Sequence, residues 1–178
     1  MESSAPGPLE SIRVLLNTWS IPNDTREAVD ELPELIADEN AWTAHVPDLR
    51  FPRGDPERRA LSVLRAAIRA AISGNGSHAL DQLVAAQRWK CSLDTGDGTV
   101  RWISVPASAV GDALAIVLDA VVADTWPRLR ACPDCQWVFY DTSRNARRTW
   151  CSMTASDGAR GCGSIAKTRA YRQRQTSR

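Results

Sequence analysis

The chain has 178 residues, enough to bury roughly 70% of the surface its unfolded form exposes and so to hold a hydrophobic core without disulfides. Its net charge of +1 conceals a split: residues 1–127 carry 11 Lys+Arg against 18 Asp+Glu, and residues 128–178 carry 11 against 3, so an acidic body bears a basic end suited to polyanions. The opening MESSAPGPLES lacks the basic and apolar regions of a signal peptide, and no apolar run approaches the roughly 18 residues of a membrane span, which argues against a membrane protein and predicts a cytoplasmic one.

Leu9, Ile12, Leu15, Leu16 and Trp19 recur at helical spacing and predict an amphipathic helix over about residues 9–20. Pro22, Asn23 and Asp24 break it, Asp24 or Thr25 can cap a short helix through Leu32, and Pro33 precedes a second helical stretch near 34–44. HVPDLRFPRGDP, with three prolines and a glycine, reads as a loop that includes His45. Asp55-Pro56 then opens the most regular helix of the chain, whose Leu61, Leu64, Ala67, Ile68, Ala71 and Ile72 form one apolar face ending at Gly74. A short helix from His78 to Arg88 leads into two strands, Trp89–Leu93 and Val100–Val105, around the turn-rich DTGDGT. Ser108 caps an apolar helix that ends before Pro127. The predicted fold is α+β and mostly helical: a body over 1–127 with one β-hairpin, and a small cysteine-bearing unit over 128–178 that ends in a basic helix.

Clustered cysteines in a reducing compartment hold metal more often than disulfides. Cys132 and Cys135 form a Cys-x-x-Cys knuckle, CPDC, whose turn aims backbone N–H groups at sulfur; Cys151 follows after 15 residues, and Cys162 supplies a fourth ligand at the start of a helix. Four thiolates around one zinc leave no open coordination position, so the expected metal is structural. Cys91 stands apart, alternating with Trp89 and Leu93 in RWKCSL, and reads as a buried strand residue.

The stretch from Leu129 to Gln175 resembles the CGNR zinc finger. It runs CPDC, then FYDTSRN, then RRTWCSM, then CGSIAKTRAYRQR, the four landmarks of that family in order. Two departures stand out. Ser164 and Ile165 replace the Asn and Arg of the naming motif, and ten residues separate Cys151 from Cys162 where the family has about four, an insertion that a flexible loop absorbs at little cost. LLNTW and LRAAIRAAI in the body are similar to the ABATE domain that accompanies this finger. The resemblance implies a two-part bacterial protein acting in stress-related transcription regulation.

The basic residues have two readings. Arg144, Arg147 and Arg148 either order the finger and compensate its metal, since a zinc with four thiolates carries a formal charge of −2, or contact a ligand. In the terminal helix Ala166 and Ala170 form a narrow packing stripe, while Lys167, Arg169, Arg172 and Arg174 suit phosphates and Tyr171 a base or ribose. Trp137 and Trp150 flank the finger and are expected to pack it. Two unclustered histidines, no phosphate loop, no His-Glu-x-x-His and no nucleophile elbow argue against an enzyme. The expected function is DNA binding in transcription regulation; the alternative is an interaction module that docks on an acidic partner or mediates homo-oligomer formation. A small-molecule effector bound by the N-terminal body is a third reading, which apolar helices alone do not distinguish from an ordinary core.

Overall fold

The computed structural model describes residues 4–96, 98–152 and 161–176. Helix α1 (Leu9–Asn17) buries Leu9, Ile12, Leu15 and Leu16 on one face, as their spacing predicts. It stops short of residue 20 because Trp19–Ser20 (β1) pairs antiparallel with Val29–Asp30 (β2). The helix expected to run through Leu32 is therefore a turn and a short strand. Its replacement has a tertiary cause: Asp30 accepts hydrogen bonds from the buried Arg65 guanidinium at 2.6 and 2.5 Å, and the Glu31 N–H donates to the Thr18 carbonyl at 2.7 Å. These long-range bonds outweigh a weak local helix preference.

Helix α2 (Leu32–Leu35) carries Pro33 in its first turn, where a missing N–H costs nothing, so the proline starts a helix rather than separating two. Helix α3 (Glu39–His45) begins later than predicted, at Asp38, whose carboxylate accepts from the Asn40 and Ala41 N–H groups. His45 is consequently the last residue of a helix and not part of the following loop.

Helix α4 (Gly54–Ile72) takes Pro56 in its first turn and buries Leu61, Leu64, Ala67 and Ile68. Helix α5 (His78–Ala85) leads to the predicted hairpin, β3 (Trp89–Asp94) and β4 (Thr99–Ser104). Ser108 caps helix α6 (Ala109–Val122) as expected, its hydroxyl accepting from the Gly111 N–H at 3.0 Å. A side chain at Gly111 would place its Cβ 1.8 Å from Ser104 Oγ, so the glycine lets α6 press on the end of β4. Coverage ends there: Cys91 is exposed, contrary to its alternation, and Leu93 is 71% exposed, because nothing among the described residues packs on the outer part of the hairpin.

A 3-10 turn (Trp126–Arg128) leads into β5 (Leu129–Ala131), which pairs antiparallel with β6 (Val138–Tyr140), and α7 (Cys162–Thr176) ends the described chain. Leu129, Val138 and Tyr140 join Ile12, Leu15, Leu64, Ile68 and Leu114 in one buried cluster. Burial of each such aliphatic side chain contributes about 1.5–3 kcal/mol. The β5–β6 hairpin beyond Pro127 thus buries Leu129, Val138 and Tyr140 in the same cluster as the helices, while a smaller cluster forms around the cysteines. None of the helices among the described residues is long and apolar enough to cross a membrane.

Candidate metal centre and its basic surface

CPDC forms the loop of the β5–β6 hairpin. The Cys132 N–H donates to the Trp137 carbonyl at 2.8 Å, the Gln136 N–H donates to the Cys132 carbonyl at 2.9 Å, and Gln136 adopts the left-handed region at φ 61°. This tight reversal sets Cys132 and Cys135 side by side. Cys151 and Cys162, the latter opening α7, complete a group whose four sulfurs all lie within 4.8 Å of one another. Cys135 and Cys151 sulfurs are 3.4 Å apart and those of Cys151 and Cys162 are 3.7 Å apart. Tetrahedral zinc with Zn–S bonds of about 2.3 Å needs sulfurs about 3.8 Å apart, so the donor set fits one structural zinc. Phe139, Trp137 and Trp150 pack around the cysteines as a second, small core, the role expected of both tryptophans.

Proton sharing within the cluster suits a bound cation. Hydrogen bonds from Cys135 and Cys151 hold the Cys132 thiol well below its ordinary value. The reciprocal bond to Cys132 pushes Cys135 up to about 12, and bonds to Cys132 and Cys135, with burial, push Cys151 far up. Without a metal the sulfurs resist joint ionisation; a bound dication stabilises all four thiolates and releases their protons.

Several contacts fix this centre to the body. Asn17 Nδ2 donates to the Val138 carbonyl at 2.8 Å, and the Val138 N–H donates to Asn17 Oδ1 at 2.7 Å, so one buried amide pairs with the backbone of β6 as a neighbouring strand would. Arg69 lies 4.5 Å over the Trp19 ring and donates to the carbonyls of Leu16 at 2.7 Å and Gln136 at 2.6 Å. Burial, with Arg65 nearby, lowers its guanidinium to about 10, still charged at neutral pH. Asn23 Nδ2 donates to Cys162 Sγ at 3.2 Å, and Asp134 in the knuckle pairs with Arg26 at 3.5 Å and with Arg169 at 2.9 Å.

In FYDTSRN, Phe139 and Tyr140 end β6 and the remainder forms a loop organised by Asp141. This fully buried carboxylate accepts from the Ser143 N–H at 2.9 Å and the Arg148 N–H at 2.7 Å. Burial opposes its ionisation, but those hydrogen bonds prevail and hold it below the usual carboxylate range. Arg128 donates to the Asp141 and Ser143 carbonyls, and Arg130 to the Arg148 carbonyl. Arg148 itself lies 4.9 Å over the Phe139 ring and donates to the Trp150 and Cys151 carbonyls.

The predicted contact residues therefore divide. The guanidinium groups of Arg148 and Arg169 are engaged within the finger, because buried carbonyls and the Asp134 carboxylate need partners there. Arg144 and Arg147 sit exposed on the Asp141 loop, and Lys167, Arg172, Arg174 and Tyr171, itself 59% exposed, lie on α7. Ala170 is exposed and forms no packing stripe: from Arg169 to Gln175 every side chain of α7 faces solvent, and the helix is held at its first turns by Cys162 and the Arg169–Asp134 pair. Residues 154–160 of the insertion before Cys162 lie outside the described residues. Asn17, Arg69, Asp134 and Asp141 are not singled out by the sequence, although each stands inside a quoted motif: LLNTW, LRAAIRAAI, CPDC and FYDTSRN.

A four-thiolate site built on a hairpin knuckle and closed by a helix defines a zinc finger. Residues 128–175 match the family model of the CGNR zinc finger, a match that covers the finger and not the helical body. Comparison with curated proteins finds no match.

Proposed function

We propose that this protein binds duplex DNA as a transcription regulator, with α7 lying along the phosphate backbone and the Asp141 loop adding contacts beside it. One observation carries this reading: a cationic helix exposed on all sides beyond its first turns, fixed at one end by a zinc ligand, is a preorganised phosphate-binding element with little else to pack against. The side chains of Arg144, Arg147, Lys167 and Arg174 make no hydrogen bond or ion pair among the described residues. Zinc supplies the crosslink between knuckle and helix, and with all four positions taken by cysteine it has no role in water activation, so the reading is of a binding protein and not an enzyme. The helical body would then be the ABATE-like partner of the finger, in a bacterial, stress-related regulator.

If the four cations neutralise four phosphates, log affinity falls with log salt at a slope of about −3.6. Fluorescence anisotropy of labelled duplex DNA against the zinc-loaded protein at several salt concentrations tests this. Salt-sensitive binding that chelation abolishes supports the regulator. No binding at low salt refutes it, and then the same cations would favour an acidic protein surface, such as the acidic body of a second copy.

A further inference from the structure

We propose that the cavity between the helical body and the finger is a binding site for a small organic cation, an ammonium group on an apolar, preferably aromatic, frame. The cavity has a volume of about 590 Å³, within the range of small-molecule sites. Val14 on α1, Leu35 on α2 and Ala41 on α3 give it apolar walls, and half-buried Trp137, next to β6, closes it from the finger side. An occupant would touch both parts of the molecule at once.

The charge of the lining sets the ligand class. Arg13 reaches the cavity, but its guanidinium is neutralised by Glu10 through bonds of 2.8 and 2.6 Å. Glu31 and Glu34 also line the cavity, and their carboxylates make no hydrogen bond or ion pair among the described residues. His45 lines the cavity as well, with its Nδ1 on the Ala41 carbonyl at 2.9 Å. Among the Arg and Glu side chains of the lining the uncompensated charge is therefore negative, and it shares the cavity with the Trp137 indole, a ring type that attracts cations. An anion would meet two like charges there. An ammonium gains both carboxylates and the ring, while an apolar frame fills the volume against Val14 and Leu35. This site does not depend on the DNA-binding reading, because its ligand is measured directly.

The test uses the zinc-loaded, ¹⁵N-labelled full chain and two probes with the same ring and opposite charge, 2-(1-naphthyl)ethylammonium and 1-naphthylacetate. The ammonium should shift the Trp137 indole N–H signal, identified by its absence in Trp137→Phe, and bind about tenfold tighter than the carboxylate. Glu31→Gln combined with Glu34→Gln should lower ammonium affinity about tenfold and bring the two probes level. Both exchanges are at exposed positions, so the remaining spectrum should be unchanged, and Ala41→Leu should weaken both probes by narrowing the cavity. Equal or tighter binding of the carboxylate, shifts that map elsewhere, or no binding of either probe at millimolar concentration would each overturn the proposal.

Discussion

Replacing Asn17 by Ala should loosen the joint between body and finger. Asn17 is 8% exposed, and its amide is the partner of both the N–H and the carbonyl of fully buried Val138, at 2.7 and 2.8 Å. Truncation orphans both backbone groups, each at a cost of about 1–3 kcal/mol. Asn17 also lines the cavity beside Trp137, so water can reach one of the two groups and recover part of the loss. The expected destabilisation is about 2–4 kcal/mol, read from urea unfolding of the zinc-saturated protein as a lower midpoint at unchanged slope. Asn17→Asp keeps the acceptor but sets a carboxylate against the Val138 carbonyl, and should cost at least as much. A loss under about 0.5 kcal/mol for Asn17→Ala, the level of an ordinary surface exchange, would show that the hairpin stays on the body without this amide.

Lys167→Ala with Arg174→Ala should reduce the salt slope of DNA binding by about 1.8 while leaving zinc content and melting temperature unchanged; an unaltered slope would remove α7 from the interface. Arg148→Ala should behave in the opposite way, destabilising the finger by about 1–3 kcal/mol through loss of two carbonyl partners, and a fully stable variant would contradict its assigned role. Chelation, or Cys135→Ser, should disorder the finger while the far-ultraviolet signal of the body persists, since metal-binding energy is folding energy in so small a unit; a finger that keeps its amide dispersion without zinc would speak against a structural metal. Asp30→Asn should cost about 1–2 kcal/mol near neutral pH, discounted for the exposure of the carboxylate, because it leaves the buried Arg65 without its counter-ion. The hydrogen bond from Arg65 depresses the folded-state value of Asp30, so this stability is present above its unfolded value of about 3.9 and lost as pH falls through the folded one. A difference between wild type and variant that persisted undiminished into strong acid would rule that out.

The elements that could be read from the chain were those with a local cause. Ser108 and the apolar period after it placed α6, and Leu61, Leu64 and Ile68 placed α4, because helical spacing and caps act over a few residues. Cys132 and Cys135 were legible for the same reason, a Cys-x-x-Cys turn being a local structure, and Cys151 and Cys162 because thiolate is a favoured zinc ligand that completes a four-cysteine set. The segment 24–32 misled because its conformation is fixed from a distance, by Arg65 on Asp30 and by pairing with Trp19 and Ser20. Cys91 misled because alternation marks a strand but not whether anything covers it.

Charge counting found the basic end of the chain but could not apportion its residues. Arg148 and Arg147 are neighbours in sequence with the same side chain, yet one is bound to carbonyls around the metal and the other is exposed, since a guanidinium takes a structural role only where buried acceptors surround it. The same holds for Asn17, an unremarked amide until β6 is brought against it from 121 residues away. Local chemistry along the chain wrote the helices and the metal site; which polar groups hold the finger to the body, and which cations are left for a partner, followed from contacts between distant segments, because the cost of an unpaired buried group exists only once burial does.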